Sequence, residues 1–167
     1  MNNLNKILAS IAFLFSLVIY ILTMAPTTSF WDCGEFIATS VIMGVPHPPG
    51  TPFYLLLGNF FSQLPTFSDI GARVNLISPI FSSLAVMFLY LIIVQLIEEW
   101  FGEVKSWPDY LITYGSALIG ALTFAFTDSH WFNAVEAEVY SLSTFFTSIV
   151  VWLILQWSKN SGHSGNV

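Results

Sequence analysis

FWDCGEFIATSVIMGVPHPPGTPFYLLLGNF, residues 30–60, decides how this chain is laid out. From Phe36 to Ser68 there is no Asp, Glu, Lys or Arg, so by charge alone the segment could cross a membrane. Prolines at 46, 48, 49 and 52 break it into FIATSVIMGV and TPFYLLLGNFFSQL. Neither piece reaches the roughly 20 apolar residues that a spanning helix needs. A proline inside a helix removes a backbone hydrogen bond and clashes with the turn before it. Lipid offers no water to repair that loss. The economical reading is two short amphipathic helices on the membrane surface, joined by the VPHPPGTP turn. The rival is a fifth, broken span.

The rest of the chain supplies the membrane. Charged residues make up 8% of its 167 residues and apolar ones 55%, with a mean hydropathy of +0.73. A soluble domain carries about 25% charged residues, so this composition cannot clothe a water-facing surface. The 17% aromatic content suits the Trp and Tyr belts of bilayer interfaces. The expected fold is an all-α membrane protein with about four transmembrane helices, near residues 4–24, 74–97, 110–127 and 139–158. The first lacks the basic start of a secretory signal and has a longer apolar part, so it reads as a retained helix. Residues 1–158 form one membrane module, followed by the polar, unstructured-looking tail 159–167, a natural end or a truncation point. One cysteine excludes an internal disulfide framework, and a net charge of −6 argues against nucleic acid.

Basic residues favour the cytoplasmic side. With four spans and a cytoplasmic N-terminus, Lys6, Lys105 and Lys159 fall inside and Arg73 outside. The outer side then holds the long loop 25–73 and the short loop 128–138. Six of the ten acids lie there: Asp32, Glu35, Asp69, Asp128, Glu136 and Glu138.

Asp32 and Glu35 are three residues apart, so a helical turn puts both on one face. Either they satisfy a helix N-terminus, with Ser29 able to complete a capping pattern, or they form a reactive pair. A carboxylate partly desolvated at an interface can serve as a general base near neutral pH. The second loop repeats the theme: Glu136 and Tyr140 are four apart, His130 and Asn133 three apart. Glu136 and Glu138 mark where a helix leaves lipid, or line a polar cavity. Trp31, Trp131, Asn133 and Tyr140 are the amides and flat rings that bind sugar hydroxyls. His47 precedes two prolines, which bias its backbone to extended geometry. It is an unpartnered turn residue or a side chain held over a site. Arg73 either snorkels to headgroups or binds a phosphate. No spacing of the HxxxH kind is present, so no metal site is expected; a divalent ion stays open.

WDCGEFIATSVIMGVPHPPGTPFYLLLGNFFSQLP, ARVNLISPIFSSLAV and SHWFNAVEAEVYSL together resemble the protein O-mannosyltransferase-like membrane proteins of the GT-C class of glycosyltransferases. The likeness covers Met1 to about Trp157. It implies an enzyme of the extracytoplasmic face, in the bacterial inner membrane, with both termini cytoplasmic. It further implies transfer of a sugar, in particular mannose, from a polyprenyl-phosphate carrier to Ser or Thr of a protein. Asp32, with Glu35 beside it, matches the family's catalytic acid, and Arg73 the residue near the carrier phosphate. The remaining substrate-binding candidates are Trp31, His47, His130, Trp131, Asn133, Glu136, Glu138 and Tyr140. Family members are far longer, so the chain reads as the N-terminal part, with the rest of the enzyme or further membrane subunits as partners. The alternative is a non-catalytic membrane scaffold or subunit. A transporter would want ionisable residues in mid-span, and the four spans have none.

Overall fold

Helix α1 spans Asn3–Thr23, and the proline-rich stretch that follows folds as two short helices, α2 (Cys33–Ile42) and α3 (Pro52–Gln63). The structure is a computed structural model and describes residues 3–102 and 104–163. At 1.5 Å per residue α2 and α3 are about 15 and 18 Å long, too short for the roughly 30 Å hydrocarbon core. α2 stops because Met43 turns left-handed (φ 53°) and Gly44 N–H closes back on Thr39 O at 2.8 Å, a helix-ending device. Pro52 starts α3, where its missing N–H costs nothing. The two helices pack so closely at Gly58 that a Cβ there would overlap Ser40 Oγ. Asn59 Nδ2 donates to the terminal carbonyls of α2, Ser40 O (3.0 Å) and Val41 O (3.3 Å).

The other elements are α4 (Ile70–Asn75), α5 (Ile77–Phe101), α6 (Trp107–Tyr110), α7 (Ser116–Ala125), α8 (Asp128–Ala134) and α9 (Val139–His163), with a π-helical turn at Leu111–Gly115. No strand occurs among the described residues. Among the described residues three helices are long and apolar enough to cross a membrane: Asn3–Thr23, Ile70–Phe101 and Val139–Ser161. The expected third span is irregular. Trp107–Ala125 qualifies only together with Asp128–Ala134, from which it is bent by 68°. The polar Thr127, Asp128 and Ser129 sit at that bend. The tail also departs from expectation: α9 carries the chain in helix to His163, while residues 164–167 lie outside the described part.

α5 is the central mast, packed by α1, α7 and α9. Ala9 and Ala12 of α1 and Ala117, Ala121 and Ala125 of α7 are buried against Val86, Tyr90 and Val94 of α5. Small residues let membrane helices approach closely, where packing rather than water exclusion drives association. Tyr20 Oη donates to Ala125 O at 2.7 Å and pins the ends of α1 and α7 together. The outer face of α1, with Ile7, Leu14, Phe15, Val18 and Leu22, is exposed and suits lipid contact. Asn5, Gln95, Glu98, Gln156 and Lys159 gather at one end of the bundle. The α2–α3 hairpin and the 135–138 bend gather at the other, over a small core of Cys33, Phe36, Tyr54, Val74, Ile77, Ala137 and Leu142.

Candidate functional site

Trp31 has a left-handed backbone (φ 58°) and is 85% exposed, a conformation that bulky residues adopt at energetic cost. It turns the chain sharply into α2. Asp32 stands at the N-cap position, yet its side chain makes no capping hydrogen bond. The expected Ser29 cap does not form; Ser29 N–H instead meets Cys33 Sγ at 3.4 Å. Asp32 is thus exposed, with its carboxylate not committed to the helix end.

Glu35 lies one turn on and reaches across to the proline turn. Its Oε1 accepts from His47 N–H at 2.8 Å, and its Oε2 lies 2.7 Å from His47 Nδ1. The side-chain bond to His47 holds the Glu35 carboxyl below its usual pKa, with the backbone bond second. The same bond raises the His47 pKa, opposed by desolvation and helped by the charges of Glu35, Asp32 and Glu138. The histidine expected to stand over a site is therefore oriented by a carboxylate partner twelve residues away.

The second loop supplies Glu136 and Glu138 from the bend between α8 and α9. The expectation that Glu136 and Tyr140 share a helix face is not met, because α9 begins only at Val139. Glu136 is 1% exposed and its Oε1 has no hydrogen-bond partner. Glu138 is buried; desolvation first, then the charge of Glu136, pushes its carboxyl from 4.5 up to about 7. Asp32 raises it further and His47 lowers it. Carboxylates from the two loops thus act on each other through space.

Sequence reasoning missed the residue that joins them. Asn75, fully buried at the end of α4, donates through Nδ2 to Ala25 O and Thr27 O, both at 2.8 Å. Its Oδ1 accepts from Ala137 N–H at 3.0 Å and faces Cys33 Sγ at 3.6 Å. One amide therefore holds the approach to Asp32, its neighbour Cys33, and the residue between Glu136 and Glu138. Asn75 lies in the quoted ARVNLISP run, but nothing in its spacing reveals bonds to residues 48 to 62 positions away.

The remaining candidates lie apart from the acid cluster. Arg73 gives Nε to Phe67 O (2.6 Å) and Nη1 to Ser62 O (3.1 Å), and so braces the end of α3. Trp131 Nε1 donates to Thr23 Oγ1 at 3.1 Å and its ring meets Phe126. His130, Asn133 and Tyr140 line a separate small cavity.

Asp32, Glu35 and His47 each present a potential ligand atom within 4.8 Å of the others. Two carboxylates and an imidazole suit a divalent ion in donor type. A cation there would have to displace the proton shared by His47 and Glu35.

Residues 32–166 match the family described as protein O-mannosyl-transferase TMEM260 N-terminal domain. The chain is 27% identical over 144 residues to protein O-mannosyl-transferase tmem260 of Dictyostelium discoideum, covering 85% of this chain and 16% of that protein. It is 26% identical over 141 residues to protein O-mannosyl-transferase TMEM260 of Mus musculus, covering 84% of this chain and 18% of that protein. The chain thus spans under a fifth of the length of these relatives. No solved structure matches it.

Proposed function

The chain belongs to the protein O-mannosyl-transferase TMEM260 N-terminal domain family, and from that premise we propose that it is the acid-bearing part of a membrane glycosyltransferase. That enzyme moves mannose from a polyprenyl-phosphate carrier to a protein Ser or Thr hydroxyl. The working face is extracytoplasmic, the termini are cytoplasmic, and the architecture is of the GT-C kind. The observation that carries the reading is the convergence of Asp32, Glu35, His47 and Glu138 from three separated motifs at one end of the bundle.

The chemistry is a displacement at the anomeric carbon. Asp32, free of a capping bond, accepts the proton of the acceptor hydroxyl as its oxygen attacks the sugar, and the carrier phosphate leaves with the bonding pair. Glu35 and His47 hold the proline turn against α2 and fix one wall. Glu138 titrates near neutrality and supplies a hydrogen-bond donor when protonated, an acceptor when not. Exposed Trp31 offers a flat ring to the sugar or the membrane surface.

The test uses the complete polypeptide in native membranes, with polyprenyl-phosphate mannose and a Ser/Thr peptide. Loss of a general base costs about 10²–10⁴-fold in rate, so Asp32→Asn should remove transfer on that scale while leaving membrane insertion intact. Undiminished transfer would refute the assignment. It would favour the scaffold reading, in which this segment serves a site built elsewhere in the longer protein.

A further inference from the structure

The end of the bundle away from the acid cluster holds a cavity of about 420 Å³, lined mainly by polar surface. Asn5 of α1, Gln95 and Glu98 of α5, and Gln156 and Lys159 of α9 border it. Gln156 Nε2 donates to Gln95 Oε1 at 2.8 Å, and Gln95 Nε2 donates to Glu99 Oε1 at 3.0 Å. Gln95, 4% exposed, is thus held at both ends of its amide. Glu98 and Lys159 form a loose ion pair at 3.6 Å. Asn5 is the exception: it is 5% exposed, and its Oδ1 has no hydrogen-bond partner. A buried acceptor left unmet is costly, so this oxygen marks a place where an N–H or O–H from outside these helices binds.

The depth of the cavity narrows the choice of ligand. From Asn5 to Thr23, the last residue of α1, the helix rises about 27 Å, close to the roughly 30 Å of a hydrocarbon core. Trp100, Phe101 and Trp157 are exposed on α5 and α9 at this end, as in the aromatic girdle of a membrane interface. One turn deeper than Gln95 and Gln156, Leu91 and Trp152 give the cavity an apolar inner wall. The polar rim therefore stands at headgroup level and the apolar wall at the start of the acyl region.

We infer that this cavity seats the headgroup of a membrane phospholipid that carries a primary amine. Its ammonium donates to Asn5 Oδ1 and to the Glu98 carboxylate, and its phosphate lies beside Lys159. An ammonium brings three donors and no acceptor, which suits an unmet amide oxygen next to a carboxylate. A choline headgroup has the same charges but no N–H, and leaves Asn5 Oδ1 unmet. A glycerol headgroup has hydroxyl donors but a net negative charge, which Glu98 opposes. A basic side chain from elsewhere in the longer polypeptide offers the donors without the phosphate, and does not use Lys159. The site stands whether or not the sugar-transfer reading holds, and it lies at the opposite end of the bundle.

The test is thermal unfolding of the complete polypeptide in detergent, titrated with phosphatidylethanolamine, phosphatidylcholine or phosphatidylglycerol of identical chains. Phosphatidylethanolamine should act with about tenfold higher apparent affinity than phosphatidylcholine, the effect of one hydrogen bond from a charged donor. Phosphatidylglycerol should do no better than phosphatidylcholine. Asn5→Leu should erase the difference between the amine and choline lipids, while its Tm without lipid holds or rises because the unmet oxygen is gone. Glu98→Gln should reduce the difference severalfold. Ile154→Ala, exposed on α9 and outside the cavity lining, should leave it unchanged. Soluble phosphoethanolamine at the same concentration should not shift the Tm. Equal shifts with the amine and choline lipids, a preference that survives Asn5→Leu, or a full shift from soluble phosphoethanolamine would overturn the assignment. A lower Tm in Asn5→Leu with no lipid preference in the wild type would also overturn it, and would place a basic side chain of the longer polypeptide in the cavity.

Discussion

Replacing Asn75 with Leu keeps the shape of a buried side chain and removes every hydrogen bond it makes. The Ala137 N–H is fully buried and would be orphaned at a cost of about 1–3 kcal/mol. The carbonyls of Ala25 and Thr27 border solvent and can rehydrate, so each loses only about 0.5 kcal/mol. The Cys33 contact, at 3.6 Å, adds little. The sum is on the order of 3 kcal/mol, felt locally where loops 25–32 and 135–138 meet. Cys33 reports on that junction, because it is fully buried and reacts with a maleimide only after the junction opens. An opening equilibrium eased by 3 kcal/mol speeds alkylation about 100-fold. The assay is the rate of Cys33 modification in folded, membrane-inserted protein. Asn75→Asp retains the acceptor and loses the donor, and should fall between wild type and Asn75→Leu. A wild-type rate in Asn75→Leu would refute the idea that this amide clamps the two loops.

Glu138 makes folding pH-dependent. Both states are neutral below pH 4.5; between 4.5 and about 7 the unfolded carboxyl ionises while the folded one stays protonated. Stability therefore falls as pH rises through that window, by up to about 3 kcal/mol. Glu138→Gln should raise the melting temperature at pH 8 and hardly change it at pH 4. The Glu35–His47 pair loses stability at both edges, with His47 following the direction of Glu138 and Glu35 opposing it. The His47 part is fully present below pH 6.5 and lost as pH rises through its raised pKa; the Glu35 part is present above 4.5 and lost as pH falls through its lowered pKa. The His47 midpoint, followed by NMR, should lie above 6.5 and drop in Glu35→Gln. Gly58→Ala drives a methyl into Ser40 and should destabilise the α2–α3 hairpin by about 1–3 kcal/mol. Adding Ser40→Gly should recover most of that loss, as read by thermal unfolding in detergent.

The membrane character and the break of 36–68 into two short helices were legible because they follow from local rules: charge content, apolar run length and the chemistry of proline. The weight on Asp32 and Glu35 came from their spacing and their rarity in so apolar a chain. What stayed hidden depends on distant pairing. Glu35 with His47, and Asn75 with Ala25, Thr27 and Ala137, form only when separate segments meet, and no periodicity encodes that. The third span was expected to end at residue 127, close to the observed bend, but the π-helical turn at Leu111–Gly115 leaves no mark in its apolar run. Arg73, read as a headgroup or phosphate ligand because it is the lone cation of that side, instead spends two of its donors on the Ser62 carbonyl at the end of α3 and the Phe67 carbonyl of the loop after it. Tyr140 was paired with Glu136 on helical spacing that fails because α9 starts one residue after Glu138.

The separations within the acid cluster also set a calendar for its assembly. Glu35 and His47 leave the ribosome twelve residues apart, so the first wall can close as soon as the hairpin emerges. Asn75 then arrives to bind Ala25 and Thr27, with its Oδ1 still lacking the Ala137 N–H that lies 62 residues ahead. Glu136 and Glu138 come last, on the doorstep of α9. Until that helix enters the membrane, Asp32 faces a half-built cleft without the buried acids of the second loop. Insertion of the last helix is therefore the event that completes the cluster, and a chain stalled before it would hold Asp32, Glu35 and His47 without Glu136 and Glu138.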